Sequence, residues 1–173
     1  DLEHATAAAP MAELLNKVTQ AGLASPQIFV LTQVCLDALG RVDACFAPSI
    51  TAAHLLKSVS FAGFRPALSR CAICGDALAS EVSAASTSMA RVSYAEGGRV
   101  CATCAPHANT VAVSAATCQW AHTLLHATIE EVVALRVDPR SALAVLQFCH
   151  PWIGEHVGTQ LKSLKFLFAS NLF

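Results

Sequence analysis

Two short hooks, Cys71-Ala-Ile-Cys74 and Cys101-Ala-Thr-Cys104, constrain this chain more than any other feature, because each can bring two thiolates to one tetrahedral metal ion. Such a donor set matches zinc, at about 2.3 Å per Zn–S bond. Gly75 behind the first hook lets the backbone curl so that amides point at the sulfurs, whereas Ala105 makes the second hook less ideal. The 26 residues between the hooks, 75–100, exceed the commonest ribbon spacing, and a loop expected at 83–88 absorbs the surplus. Four thiolates leave no position open for water, so the expected metal is structural. Two alternatives stay open: unrelated cysteine pairs, reduced or disulfide-bonded, and His107 in place of Cys104. A thioredoxin-like role is disfavoured, since neither pair follows a strand and opens a helix. The other four cysteines, Cys35, Cys45, Cys118 and Cys149, stand singly in apolar helical segments and read as small buried hydrophobes of a chain kept in a reducing compartment.

The sequence around the hooks is helical. Of its 173 residues 54% are hydrophobic and 13% charged, enough to bury a core, and alanine-rich segments favour close-packed helices. A first helix is expected from Pro10 to Gly22, with Met11, Leu14, Leu15 and Val18 on its apolar face. Ser25 and Pro26 open a second, whose Phe29, Val30, Val34, Leu36 and Leu39 are apolar on most sides and predict a central element. A third starts at Pro48 and Ser49 and stops at Gly63. Residues 91–94 read as a short strand. One long helix is expected from Trp120 to Leu135, closed before Asp138 and Pro139, and a last stretch from Leu143 to Phe168 that Pro151 breaks or bends. The predicted fold is mainly α: a helical bundle of residues 1–70 and 108–173 with an inserted four-cysteine zinc ribbon, 71–107, containing short strands.

Catalytic signatures are missing from the sequence. His122 and His126 lie four apart, but Thr-Leu-Leu between them lacks the glutamate of H-E-x-x-H. The His-x-Glu of zinc deaminases, a phosphate loop and a G-x-S-x-G elbow are also absent. Glu130 and Glu131 are adjacent and do not share a helix face. The chain is therefore expected not to be an enzyme. A formal charge of -1 gives no whole-chain attraction to nucleic acid, so such contact needs a local patch. Candidates are Lys162 and Lys165, expected to complement a helix C-terminus, with Arg65 and Arg70 near the first hook. No segment approaches about 18 consecutive apolar residues, so no membrane helix is expected. The chain begins at Asp1 without Met or signal-like segment and is expected to be a fragment or a processed product.

Three stretches occur in one order: Phe61-Ala-Gly-Phe64-Arg-Pro66-Ala-Leu68-Ser-Arg-Cys71-Ala-Ile-Cys74-Gly75, then Glu96-Gly97-Gly98-Arg-Val100-Cys101-Ala-Thr-Cys104, then Glu155-His156-Val157-Gly158-Thr-Gln-Leu161-Lys162-Ser163-Leu164. Together they resemble the RecO family, in which "GY-x-P-x-L-x-x-C-x-x-C-G", a glycine pair before the second hook and a terminal "H-L-G-x-x-L-K-S" recur; Phe64 and Val157 depart from that pattern. The resemblance covers nearly the whole chain. It implies a recombinational repair mediator that binds single-stranded DNA and its coating protein SSB, works with RecR and helps load RecA, in the bacterial cytoplasm or nucleoid. The family's N-terminal OB-fold is expected to be missing here. The alternative is a RecO-derived scaffold contacting ribosomal proteins and rRNA in a large assembly such as an organellar ribosome, in a mitochondrion or plastid.

Overall fold

The computed structural model describes residues 1–23, 25–78 and 88–173. Among these, seven α-helices enclose one core and a three-stranded sheet lies beside it. The mainly α fold is as the sequence predicts.

α1 (Leu2–Gln20) begins earlier than expected, capped where the Asp1 carboxylate accepts from the His4 amide at 2.9 Å. Pro10 lies inside it rather than in its first turn. The alanines before Pro10 propagate a helix well, and the Thr51 hydroxyl donates to the Ala7 carbonyl at 2.8 Å, tying this segment to the helix that holds Thr51. α2 (Pro26–Leu39) is peripheral, not central: Phe29, Val30, Val34 and Leu36 are exposed, while Ile28, Thr32, Cys35, Ala38 and Leu39 face inward.

The centre belongs to α3 (Ala47–Phe61), buried from Ala47 to Val59 except at Lys57. Its alanines, serines and threonine let α1, α2 and three helices from later in the chain approach from all sides, which a helix of large side chains does not permit. His54 lies in this core, fully buried. Thr32 donates its hydroxyl to the Ile28 carbonyl at 2.8 Å, so it accepts from His54 Nε2 at 2.8 Å; burial holds the imidazole neutral, its pKa down to about 3.

β1 (Met89–Ser93), β2 (Gly98–Arg99) and β3 (Val111–Ser114) form an antiparallel sheet in the order β2-β1-β3, with Val92 opposite both Arg99 and Val111. The loop expected at 83–88 lies, apart from Ser88, outside the described residues. The sheet is fastened to the bundle by aromatic rings. Tyr94, just past β1, stands 5.9 Å from Phe148 and 6.2 Å from Trp152 between ring centroids, and Trp152 Nε1 donates to the Phe64 carbonyl at 3.0 Å.

The single helix expected from Trp120 to Leu135 is two, α4 (Ala115–His126) and α5 (Ile129–Leu135). Thr128 and Glu131 form a capping box between them, a signal the sequence carries as T-x-x-E. α6 (Pro139–Val157) runs through Pro151 and ends at Gly158. Proline removes the donor for the Gln147 carbonyl, but Leu146, Phe148, Cys149, Trp152 and Ile153 are buried on both sides of it, and their packing carries the helix past the defect. α7 (Lys162–Ala169) completes the chain's helices. Among the described residues no helix is long and apolar enough to cross a membrane.

Candidate metal centre

The hooks sit on turns that the backbone builds twice. Gly75 N donates to the Cys71 carbonyl and Ala105 N to the Cys101 carbonyl, both at 3.0 Å. Gly75 then leaves with φ at +79°, a conformation open to glycine. Ala105 instead opens a short 3-10 turn, Ala105–His107, which is how the second hook does without glycine.

A parallel approach of two segments brings the hooks together. Ala67 donates to the Gly97 carbonyl at 3.0 Å, Arg99 N to the Ala67 carbonyl at 2.8 Å and Ala72 N to the Arg99 carbonyl at 2.8 Å. Gly98 makes this possible: a Cβ there would overlap the Ala67 carbonyl and stand 2.8 Å from its nitrogen.

The four sulfurs of Cys71, Cys74, Cys101 and Cys104 consequently lie within 4.8 Å of one another, and Cys74 Sγ is 3.8 Å from Cys101 Sγ. A tetrahedron with bonds of about 2.3 Å has sulfur–sulfur edges of about 3.8 Å, so the cluster fits a four-thiolate metal ion. His107 does not belong to the cluster. All eight cysteines are free thiols, which removes the disulfide alternative for this structure. The Cys101 amide donates to Cys71 Sγ at 3.4 Å and draws that thiol down to about 6, while neighbouring sulfurs, Cys101 first, push Cys104 up to about 12. Ionised together, four sulfurs this close would repel one another, and a divalent cation among them offsets that repulsion. The four could therefore bind a metal ion, with backbone amides steadying the sulfur charge.

Of the single cysteines, Cys35, Cys118 and Cys149 are buried as expected, but Cys45 is exposed. It lies in a short turn, Ala44–Phe46, before α3, where no helix covers it.

The four basic candidates are dispersed. Arg65 Nη2 meets His126 Nε2 at 2.6 Å, and Arg70 Nη1 donates to the Gly75 carbonyl at 3.2 Å beside the first hook. Lys162 and Lys165 stand in the first turn of α7, not its last, so they oppose the helix dipole instead of complementing it. The start of that helix is capped by an acid from elsewhere: Glu13 on α1 accepts from Lys162 N at 3.1 Å, Ser163 N at 2.9 Å and Ser163 Oγ at 2.5 Å. Lys165 Nζ donates to Gln160 Oε1 at 2.6 Å. Sequence reasoning misses Lys57, whose Nζ donates to the Leu125 carbonyl at 2.8 Å next to the two histidines.

A helical bundle with a four-cysteine cluster beside a small antiparallel sheet defines the class: a mainly α fold whose clustered cysteines could hold a metal ion. The chain belongs to the family described as Recombination protein O C terminal, whose model matches residues 1–165. It is similar to the DNA repair protein RecO of Desulfitobacterium hafniense, 28% identical over 169 residues that make up 94% of this chain and 58% of that protein. It is also similar to the RecO of Pelotomaculum thermopropionicum, 29% identical over 167 residues, 96% of this chain and 61% of the relative. The RecO of Alkaliphilus metalliredigens is 28% identical over 140 residues, covering 80% of this chain and 53% of its own. The chain thus spans about three fifths of the length of the curated relatives it matches. No solved structure matches it.

Proposed function

We propose that this chain is the zinc-stabilised helical part of a RecO-type recombination mediator, acting without catalysis in DNA repair through contacts with single-stranded DNA, SSB and RecR. The convergence of four cysteine sulfurs in a chain of this family carries the reading. Cys71, Cys74, Cys101 and Cys104 hold one zinc ion, which fixes residues 71–107 as a ribbon inserted between the two parts, 1–70 and 108–173, of one bundle. Arg65, Arg70, Lys162 and Lys165 are the candidate contacts to nucleic acid or to acidic partner segments. The relatives are named as repair proteins, which favours mediation over a scaffold in an organellar ribosome, and their bacterial sources favour the cytoplasm or nucleoid. Sedimentation of the chain with purified SSB, RecR and an oligothymidine tests the reading. A complex with at least one of them is expected; sedimentation of the chain alone beside all three contradicts it.

A further inference from the structure

We propose that Arg65, His122 and His126, with Lys57 beside them, form an anion subsite that takes a backbone phosphate of single-stranded nucleic acid. The inference rests on the reading that this chain contacts nucleic acid and says where.

The contact between Arg65 and His126 fixes a proton. His126 Nδ1 lies 2.8 Å from the His122 carbonyl, which can only accept, so Nδ1 carries the hydrogen. Nε2 is then the acceptor for Arg65 Nη2 at 2.6 Å. A guanidinium satisfied by a neutral imidazole lacks a counter-ion. Among the described residues Arg65 has no carboxylate partner, unlike Arg41, which meets Glu130 at 2.7 Å, and Arg136, which meets Asp43 at 3.2 Å.

Further basic side chains gather around this pair. The His122 ring stands 4.2 Å from that of His126 between centroids, and His122 is disfavoured as a cation first by burial and then by His126 and Arg65. Lys57 on α3 is half-buried, which lowers its pKa, as Arg65 does to a lesser degree. The facing acid is Glu131 on α5, whose Oε2 is held by Thr128 N at 2.7 Å and Thr128 Oγ1 at 3.0 Å. Among the described residues, Lys57, Arg65, His122 and Glu131 are thus the charged and titratable groups placed around His126.

Protonating His126 Nε2 would set two donors face to face at 2.6 Å, and they must separate. A phosphate between them accepts from both in charge-assisted hydrogen bonds. Next to the pair lies a hollow of about 570 Å³ lined by Thr123, His126, Ala127, Glu131, Ala134 and Leu135. Its apolar wall of Ala127, Ala134 and Leu135 suits a sugar or base beside the phosphate, which a run of carboxylates does not supply. Anion binding is therefore linked to proton uptake: the complex favours the imidazolium, so binding tightens as pH falls.

The test uses the chain itself with fluorescein-labelled oligothymidine, followed by anisotropy at low salt between about pH 8 and pH 5.5. Arg65→Gln and His126→Gln are compared with the native chain; both positions are exposed, and thermal melts check their folding. Arg65→Gln is expected to weaken binding about tenfold. His126→Gln is expected to match the native chain at the alkaline end and to lose the tightening toward acid. Native binding with both variants unchanged overturns the subsite and leaves the nucleic-acid reading standing. No binding by the native chain at any pH overturns both. A polyglutamate peptide that binds through Arg65 where oligothymidine does not would overturn the nucleic-acid assignment in favour of a protein segment.

Discussion

Glu13→Ala should loosen the whole end of the bundle, because one carboxylate on α1 closes the start of α7. Three hydrogen bonds are lost, from Lys162 N, Ser163 N and Ser163 Oγ, and two helix amides are left without a protein acceptor. Loss of a helix cap costs about 0.5–2 kcal/mol. Bonds to a charged acceptor would place the effect toward the upper end, but this carboxylate is only partly buried and water replaces some of what is lost. The expected loss is about 1–2 kcal/mol, or roughly 3–6 °C in Tm for a chain of this length. Glu13→Gln keeps one acceptor and should lose about half as much. Burial alone would raise the Glu13 pKa, yet the hydrogen bonds from Ser163 and Lys162 outweigh it and the net shift is downward. A folded pKa below the unfolded one means that this stabilisation is present above the ordinary glutamate range and is lost as pH falls through the folded value. Urea denaturation at neutral and acid pH, with amide exchange resolved along 162–169, is the assay. A Glu13→Ala chain within about 0.3 kcal/mol of native, with unchanged protection in α7, would refute the reasoning.

Gly98→Ala should cost at least about 1–3 kcal/mol from backbone strain alone, with overlap on Ala67 added, and should spread the two hooks apart; the readout is metal affinity measured together with Tm. Thr128→Ala removes half of the capping box and should cost about 1 kcal/mol, seen as faster amide exchange in α5 while α4 is unaffected. Cys71→Ser should lower metal content and stability together, since structural zinc binding is coupled to folding; unchanged metal stoichiometry would take Cys71 out of the site.

The spacing of the hooks made the four-sulfur cluster legible without a structure, because two thiols separated by two residues can meet one ion wherever the turns form. Several helices were legible too, from Ser25 and Pro26 for α2 and from Pro48, Ser49 and Gly63 for α3. What failed was depth and direction. α2 has the more hydrophobic sequence, yet α3 is central, because the innermost position rewards small side chains that admit five neighbours rather than large ones. Pro10 and Pro151 mark no boundary here, since the packing on either side outweighs one missing donor. Lys162 and Lys165 appear near the end of the chain but at the beginning of a helix, a placement decided by Gly158 and by an acid nearly 150 residues earlier in sequence. The Arg65 and His126 contact joins residues 61 apart and has no local signal beyond the i, i+4 histidines.

The zinc K-edge X-ray absorption spectrum of the chain, purified without added metal and calibrated for zinc per chain, tests the central claim most directly. About one zinc per chain with four sulfur neighbours near 2.3 Å is the predicted result. A chain that folds with no zinc, or whose zinc has nitrogen or oxygen among its nearest neighbours, would contradict a four-thiolate structural centre.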